Sequence, residues 1–269
     1  MIDSATFEEM RKQLESRVKP SRYAHSMGVS RTAAHLARIY GADENAAAVA
    51  GLLHDWDKAL SFKELKRIAK KHGLASKAVR KQMPGVLHAL TAPYSLRKAF
   101  PELSDEILHA ISLHTCGAKD MSDLDKIVFI ADLIEPGRSF SDVQSLRDAA
   151  GKVSLDELFF MAYASTLVYL IGAGLPVHPD SLDVWNALVE RRGVDGAGDA
   201  VVKGAESRGL QRTHAASPDE AGGSSSVNTN CACGSTCPTP SVDGLASELA
   251  ARIVAGRNAS HLPRKIVIE

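Results

Sequence analysis

Six residues in the first half of the chain could together hold a metal: His25, His54, Asp55, His88, His114 and Asp132. Neutral imidazoles combined with carboxylates suit borderline divalent metals such as iron, manganese, cobalt, nickel or zinc. Six ligands are more than one catalytic metal needs. If Asp55 bridges, the set divides over two metals about 3.5–4 Å apart, which together activate a water molecule and stabilise a leaving oxygen. These residues therefore favour a phosphohydrolase with a dinuclear centre.

Each of these residues also has an ordinary structural explanation when it is taken alone. A histidine in the last turn of a helix, such as His54, is favoured by the helix dipole. A histidine on an apolar helix face, such as His25, is more often a hydrogen-bonded core residue than a ligand. Asp132 is harder to explain, because it lies within the apolar run IVFIADLI and a buried aspartate is costly unless it meets a cation or several donors. The set is stronger evidence than any member.

The elements that position these residues are predicted to be helices. Apolar residues at helical spacing predict a first helix over residues 5–19 and a second over 22–40 that ends at Gly41. Asp43 is expected to cap a third helix, which delivers His54 and Asp55 at its end. Further helices are predicted to begin at the capping box Ser61-x-x-Glu64, with Phe62 inward and an end at Gly73, and near His88, Ser104, Ser122, Ser154 and Asp180.

No run of alternating Val, Ile and Thr marks a strand in the first 193 residues. The predicted fold class is therefore all-α, a helical bundle. Helical phase within it places His35, His72 and His109 on the surface, because His109 falls nearly opposite the Ile107, Ile111 and His114 face and His35 falls away from His25.

Composition and charge argue against several other classes of protein. Lysine plus arginine and aspartate plus glutamate number 32 each, so the chain lacks the basic charge of a nucleic-acid binder. The N-terminus has no apolar segment typical of a secretory signal, and the four cysteines do not suggest a disulfide framework, so a cytoplasmic location is expected. Residues 158–179 carry no formal charge and approach the length of a membrane span. The capping box Ser154-x-x-Glu157 favours a buried core helix instead.

The composition changes after Gly193. Residues 194–242 are rich in Gly, Ser, Ala, Thr and Pro and cannot bury enough apolar surface to fold alone. The sequence thus predicts a catalytic domain over residues 1–193, followed over 194–269 by a flexible, largely disordered linker and a short C-terminal segment. The tail motif CACGSTC has three cysteines but no fourth ligand at zinc-site spacing, which favours redox-labile or incidental cysteines.

Short motifs around the six residues carry a family resemblance: RYAHS at 22–26, HDWDK at 54–58, LHA at 87–89, LHTCG at 113–117 and ADLIEPGR at 131–138. Together they resemble the HD-domain phosphohydrolases, and more narrowly the YqeK-type symmetrical bis(5′-nucleosyl)-tetraphosphatases. ADLIEPGR is the most discriminating motif. The resemblance covers roughly residues 7–190 and nothing in the tail.

The resemblance implies an all-helical bundle with two metals, most often iron, with manganese, cobalt or nickel as alternatives. His25, His54, Asp55 and Asp132 would bind one metal, and Asp55, His88 and His114 the other. The implied reaction cuts diadenosine tetraphosphate into two ADP. Asp55 and Lys58 would be catalytic, and the implied substrate contacts are Lys58, Arg138, Arg22, Thr115 and Gly117.

Some alternatives stay open at this point. The same site could act on a deoxynucleotide, a cyclic nucleotide or an alarmone, or the protein could be a nucleotide sensor that does not turn its ligand over. A homodimer is compatible with the resemblance, and neither nucleic acid nor membrane is expected as a partner. Two positions depart from the family pattern. Cys116 stands where relatives often have serine, and Asp57 adds a carboxylate that could weaken the hold of Lys58 on phosphate.

Overall fold

Helices make up all of the regular structure in residues 2–193, the part of the chain that this computed structural model describes. No strand occurs within these residues, which confirms the predicted all-α fold. The predicted linker, the domain boundary at 193/194 and the CACGSTC motif concern residues outside the described range. In chain order the helices are α1 (Ser4–Arg17), α2 (Pro20–Tyr40), α3 (Glu44–Leu53), α4 (Phe62–His72), α5 (Lys77–Gln82), α6 (Leu87–Ala99), α7 (Asp105–Leu113), α8 (Asp123–Ile134), α9 (Val143–Ala149), α10 (Leu155–Gly172) and α11 (Pro179–Arg192).

Most helices begin and end where local chemistry predicts. The Asp43 side chain accepts a hydrogen bond from the backbone N–H of Ala46 at 2.9 Å, which caps α3. Ser61 and Glu64 form the full capping box of α4. Gly41 and Gly73 follow α2 and α4 with φ of 75° and 66°, the left-handed conformation that ends a helix and that glycine adopts without steric cost.

Three local features differ from the sequence prediction. Helices α5 and α9 were not predicted, because six and seven residues are too few to show a periodic apolar face. Phe62 was predicted to face inward and is 50% exposed. It is the first residue of α4, which packs on the core through Leu65 and Ala69, so the Phe62 ring lies outside that contact.

Two large apolar clusters that share α8 form most of the core, and a third, small one lies under α4. One cluster gathers α2, α8 and α10 around residues such as Val29, Ile130 and Phe159. The other gathers α1, α3, α6 and α7, and α8 contributes Val128 to it. Asp132 lies near the C-terminal end of α8 and so comes between the two clusters, close to the ends of the helices around it.

A close contact between α2 and α3 brings two of the predicted ligands together. A Cβ atom at Gly51 would lie 2.9 Å from the Cα of Ser30, so only glycine allows the helix backbones to approach this far. The Ser30 hydroxyl donates to the carbonyl of Ala48 at 2.8 Å and ties the two helices at the same level. As a result His25 on α2 and His54 at the end of α3 face each other.

Helix α10 is long and apolar enough to cross a membrane by length and composition alone. Core helices pass the same test. Leu158, Phe159 and Ala162 of α10 are buried, and the Phe159 and Phe129 rings meet edge to face with centroids 5.3 Å apart. These contacts place α10 against α8 as part of the core, as its capping serine suggested.

Candidate metal centre

The six predicted ligands converge on one point of the bundle although they come from five helices. His25 lies on α2, His54 and Asp55 follow α3, His88 lies on α6, His114 ends α7, and Asp132 lies on α8. Three groups have ligand atoms within 4.8 Å of one another: His25, His54 and Asp55; His54, His114 and Asp132; and Asp55, His88 and His114. His35, His72 and His109 are exposed, as helical phase predicted.

The carboxylate of Asp55 lies between two pairs of histidines. Its Oδ1 is 3.0 Å from His88 Nε2 and 3.7 Å from His114 Nε2. Its Oδ2 is 3.4 Å from His54 Nε2 and 3.8 Å from His25 Nε2. Each oxygen therefore faces a different pair, which is the geometry that a bridging carboxylate requires.

Asp132 completes the side of the centre that contains His25. Its Oδ1 lies 3.0 Å from His25 Nε2 and 3.8 Å from His54 Nε2. The side chain is 22% exposed and lines the pocket, so it is less buried than the apolar run around it suggested. Burial raises the pKa of Asp132, but the charge of Arg138 and the hydrogen bond from His25 lower it well below its usual range.

Three of the histidines are oriented by main-chain carbonyl groups. In each case Nδ1 hydrogen-bonds to the carbonyl oxygen three residues earlier in the chain. The partners are Gly51 for His54 at 2.7 Å, Gly85 for His88 at 2.6 Å and Ile111 for His114 at 2.7 Å. A carbonyl only accepts, so Nδ1 carries the proton and each Nε2 lone pair points into the centre.

His25 has a different partner. Its Nδ1 lies 3.1 Å from Oε1 of Glu135, the residue that follows α8. Burial lowers the pKa of His25, but hydrogen bonds to Asp132 and Glu135 outweigh burial and raise it above its ordinary value. Burial raises the pKa of Glu135, while the hydrogen bonds from His25 and from the Gly137 N–H bring it below its usual value.

The contact between His88 and His114 tests whether a metal fits this donor set. Their Nε2 atoms are 3.0 Å apart. Burial, with the nearby charge of Lys58, lowers the pKa of His88 to about 3, which favours the neutral form that binds metals. When both rings are neutral, two lone pairs face each other, and a cation between them removes that repulsion. The residues fit a divalent metal with nitrogen and oxygen ligands.

Two arginines contact the carboxylates of the centre. Arg22 Nη1 donates to Asp55 Oδ2 at 2.8 Å. Arg138 Nε donates to the main-chain carbonyl of Asp132 at 2.8 Å, and its Nη2 pairs with Asp132 Oδ1. Both arginines also line the pocket, where an anion would meet them.

The pocket above the centre contains most of the predicted substrate contacts. Burial lowers the pKa of Lys58, which lines the pocket, to about 8. The lining comprises Arg22, Asp55, Lys58, His88, His114, Thr115, Asp132 and Arg138, together with Phe129, Leu133 and Thr166, which sequence analysis did not single out. Thr166 is on α10 and belongs to no sequence motif. Only the packing of α10 on α8 brings it to the pocket.

Gly117 does not belong to the pocket lining. It has a φ of +67°, and a Cβ there would lie 3.0 Å from the Tyr163 ring, so its conformation and packing account for glycine at this position. A substrate contact by Gly117 stays a prediction.

The two departures from the family pattern lie outside the pocket lining as well. Asp57 Oδ2 accepts from Thr91 Oγ1 at 2.7 Å and from Ser95 Oγ at 3.0 Å, and Arg17 approaches Oδ1 at 3.5 Å. The Asp57 carboxylate is thus directed toward α6 and α1. Burial raises the pKa of the Cys116 thiol to about 11, so this cysteine is a poor nucleophile.

Comparisons with known proteins agree with this geometry. The HD domain family model matches residues 22–137. The chain is 34% identical over 168 residues to a symmetrical bis(5′-nucleosyl)-tetraphosphatase of Halalkalibacterium halodurans, covering 62% of this chain and 89% of the relative. A Bacillus subtilis protein of the same name is 33% identical with the same coverage. A crystal structure of a predicted HD superfamily hydrolase involved in NAD metabolism from Clostridium acetobutylicum has 32% identity and a TM-score of 0.63, covering 69% of this chain and 97% of that one.

Proposed function

Because the chain belongs to the symmetrical bis(5′-nucleosyl)-tetraphosphatase family of HD-domain hydrolases, we propose that it cuts diadenosine tetraphosphate into two ADP at a dinuclear metal centre. The observation that carries the proposal is the Asp55 carboxylate, whose two oxygens face two different histidine pairs. The protein is a hydrolase by family.

In this proposal the centre holds two metals that share Asp55. Oδ2 of Asp55 would bind one metal with His25, His54 and Asp132, and Oδ1 would bind the other with His88 and His114. The third group of nearby ligand atoms, which joins His54, His114 and Asp132, supports two ions placed close together. When bound, such ions lower the pKa of a water molecule and neutralise charge on phosphoryl oxygens. Iron is our first choice, and the nitrogen and oxygen ligands also suit manganese, cobalt or nickel.

The chain's own residues would bind and orient the polyphosphate. Arg22 and Arg138 carry guanidinium groups that can grip phosphate through paired hydrogen bonds, whereas Lys58 acts as a point charge. Water adds to one central phosphorus, and the bridging oxygen leaves with the second ADP. Asp57 hydrogen-bonds to Thr91 and Ser95 of α6, so its carboxylate is directed toward that helix.

A cytoplasmic location is part of the same proposal, as is activity without a nucleic-acid or membrane partner. These points rest on the composition of the chain. A homodimer is likewise proposed from the family resemblance, and sedimentation of the purified protein would test it.

The decisive experiment combines product analysis with isotope labelling. The full chain is incubated without oxygen with ferrous iron or manganese and diadenosine tetraphosphate in ¹⁸O-labelled water. We expect ADP as the sole nucleotide product, with one label in each pair of ADP molecules. AMP with ATP, or no turnover with iron, manganese, cobalt or nickel, would contradict the proposal. A panel of a deoxynucleotide, a cyclic nucleotide and an alarmone, compared by kcat/KM, tests the alternative substrates.

A further inference from the structure

Glu135 occupies a buried position beside the centre and is not one of the predicted ligands. Its side chain is 6% exposed, and both carboxylate oxygens have partners within the protein. Oε1 lies 3.1 Å from His25 Nδ1, and Oε2 accepts the Gly137 N–H at 2.6 Å. This carboxylate is thus fixed at one end by the main chain and holds the histidine at the other.

Two glycines make room for this carboxylate. A Cβ at Gly28, one helical turn after His25 on α2, would lie 2.5 Å from Glu135 Oε2. A Cβ at Gly137 would lie 2.8 Å from Oε1. Neither glycine has a positive φ, so the backbone conformation does not require glycine at either position. Gly28 is also inside a helix, where alanine is intrinsically the more stable residue. The space taken by Glu135 is the remaining reason for both glycines.

We propose that Glu135 is a positioning residue that fixes the tautomer and orientation of His25 and strengthens it as a metal ligand, with Gly28 and Gly137 as the cradle of the Glu135 carboxylate. The inference rests on the proposed function, because it takes His25 as a ligand. A ring Nδ1–H held by a carboxylate presents Nε2 as an acceptor and makes it more basic. The other three histidines rely on neutral carbonyl groups, so this effect is confined to His25.

The first test measures metal affinity. Glu135→Gln keeps the size of the side chain but removes its charge, and we expect the affinity for one metal equivalent to fall roughly 10- to 100-fold in competition with a chelator. Glu106→Gln, on the exposed side of α7, is the matched control and should change nothing. In a His25→Ala background the Glu135→Gln change should have less than about a two-fold effect, because the residue acts through His25.

The second test uses the cradle and needs no metal. Gly28→Ala in the natural background should lower the Tm, because the added Cβ pushes against the Glu135 carboxylate. In a Glu135→Ala background the same change should raise the Tm, because the contact that then remains, with the Glu135 Cβ at 3.5 Å, is an ordinary one and alanine favours the helix. Gly172→Ala, whose Cβ would meet nothing within 4 Å, should act alike in both backgrounds.

The outcomes separate this inference from the proposed reaction. If diadenosine tetraphosphate is not cut but Glu135→Gln still weakens metal binding, the reaction is wrong and the role of Glu135 stands. An unchanged metal affinity in Glu135→Gln overturns the positioning role. If Glu135→Gln weakens metal binding equally in the His25→Ala background, Glu135 has only a structural role. If Gly28→Ala shifts the Tm in the same direction in both backgrounds, the cradle is wrong.

Discussion

The two sides of the metal centre are held in place by different means. The inner side consists of His88 and His114, whose side chains are 1% exposed and are each anchored by a main-chain carbonyl. The outer side consists of His25, His54 and Asp132. His54 is also anchored by a carbonyl, whereas His25 and Asp132 are 11% and 22% exposed and depend on the charged partners Glu135 and Arg138.

This difference indicates how each side can be altered. The backbone around α6 and α7 sets the inner side, so few side-chain changes other than loss of a ligand should affect it. The outer side depends on ion pairs and hydrogen bonds between side chains, so its metal should respond to more substitutions. Asp55 belongs to both sides, and four predictions test this difference.

Asp55→Ala should have the largest effect, because it removes the carboxylate that faces both histidine pairs. We expect loss of both metals and of all measurable hydrolysis. Metal content after dialysis, measured by mass spectrometry, checks this against Lys58→Ala, which should keep both metals. Two full equivalents in Asp55→Ala would contradict the bridging role.

Single-histidine changes should separate the two sides. His88→Ala should weaken binding of the inner metal, whereas His25→Ala should weaken binding of the outer one, and each should lower kcat/KM by more than the roughly 100-fold typical of changes to groups that orient a ligand. When each variant is titrated with metal in a calorimeter, we expect one strong metal-binding site to remain. Loss of both metals from His25→Ala would mean that the inner side cannot bind metal alone.

Arg138→Lys should affect the outer side without emptying it. The lysine keeps the positive charge but cannot contact both the carbonyl and the carboxylate of Asp132. A lysine also cannot grip phosphate through the paired hydrogen bonds of a guanidinium. Loss of one hydrogen bond to a charged group costs about 1.5–3 kcal/mol, so we expect KM to rise by roughly 10- to 150-fold with both metals still bound. Arg38→Lys, on an exposed ion pair, is the control. An unchanged KM would remove Arg138 from the substrate contacts.

The smallest effect concerns pH. Burial lowers the pKa of Lys58 to about 8, so its ammonium is charged below that pH and neutral above it. The affinity for ADP should therefore fall between pH 7 and 9 in the natural protein. In Lys58→Arg the guanidinium stays charged, so the fall should be smaller by a factor of roughly 2 to 10. Equal pH dependence in the two proteins, measured by calorimetry, would show that Lys58 does not contact phosphate.

The sequence was informative where local chemistry decides the structure. The caps at Asp43 and Ser61, the stops at Gly41 and Gly73 and the surface position of His109 all follow from residues a few positions apart. The short helices α5 and α9 were not predicted, because a helix of six or seven residues has no periodic pattern to detect.

Part of the candidate site was predictable because the local sequence marks its residues, and part was not, because only long-range packing brings those residues to the site. His54 and Asp55 are marked by their place at a helix end, and Asp132 by a charge in an apolar run. Glu135 lies 110 residues from His25, and only the packing of α8 against α2 brings them together. Its local signals were its place in the motif ADLIEPGR and the nearby glycines, Gly28 three residues after His25 and Gly137 two residues after Glu135. Thr166 gave no local signal.

The carbonyl anchors of the inner histidines also have a consequence for divergence among relatives. A main-chain carbonyl is present whatever side chain the residue carries, so the position of Ile111 can drift among apolar residues without disturbing His114. Gly28, Glu135 and Gly137 form a matched trio in which a change at one position spoils the fit of the others. Across a large set of relatives we expect those three positions to covary, and the anchoring positions of the inner side to vary independently.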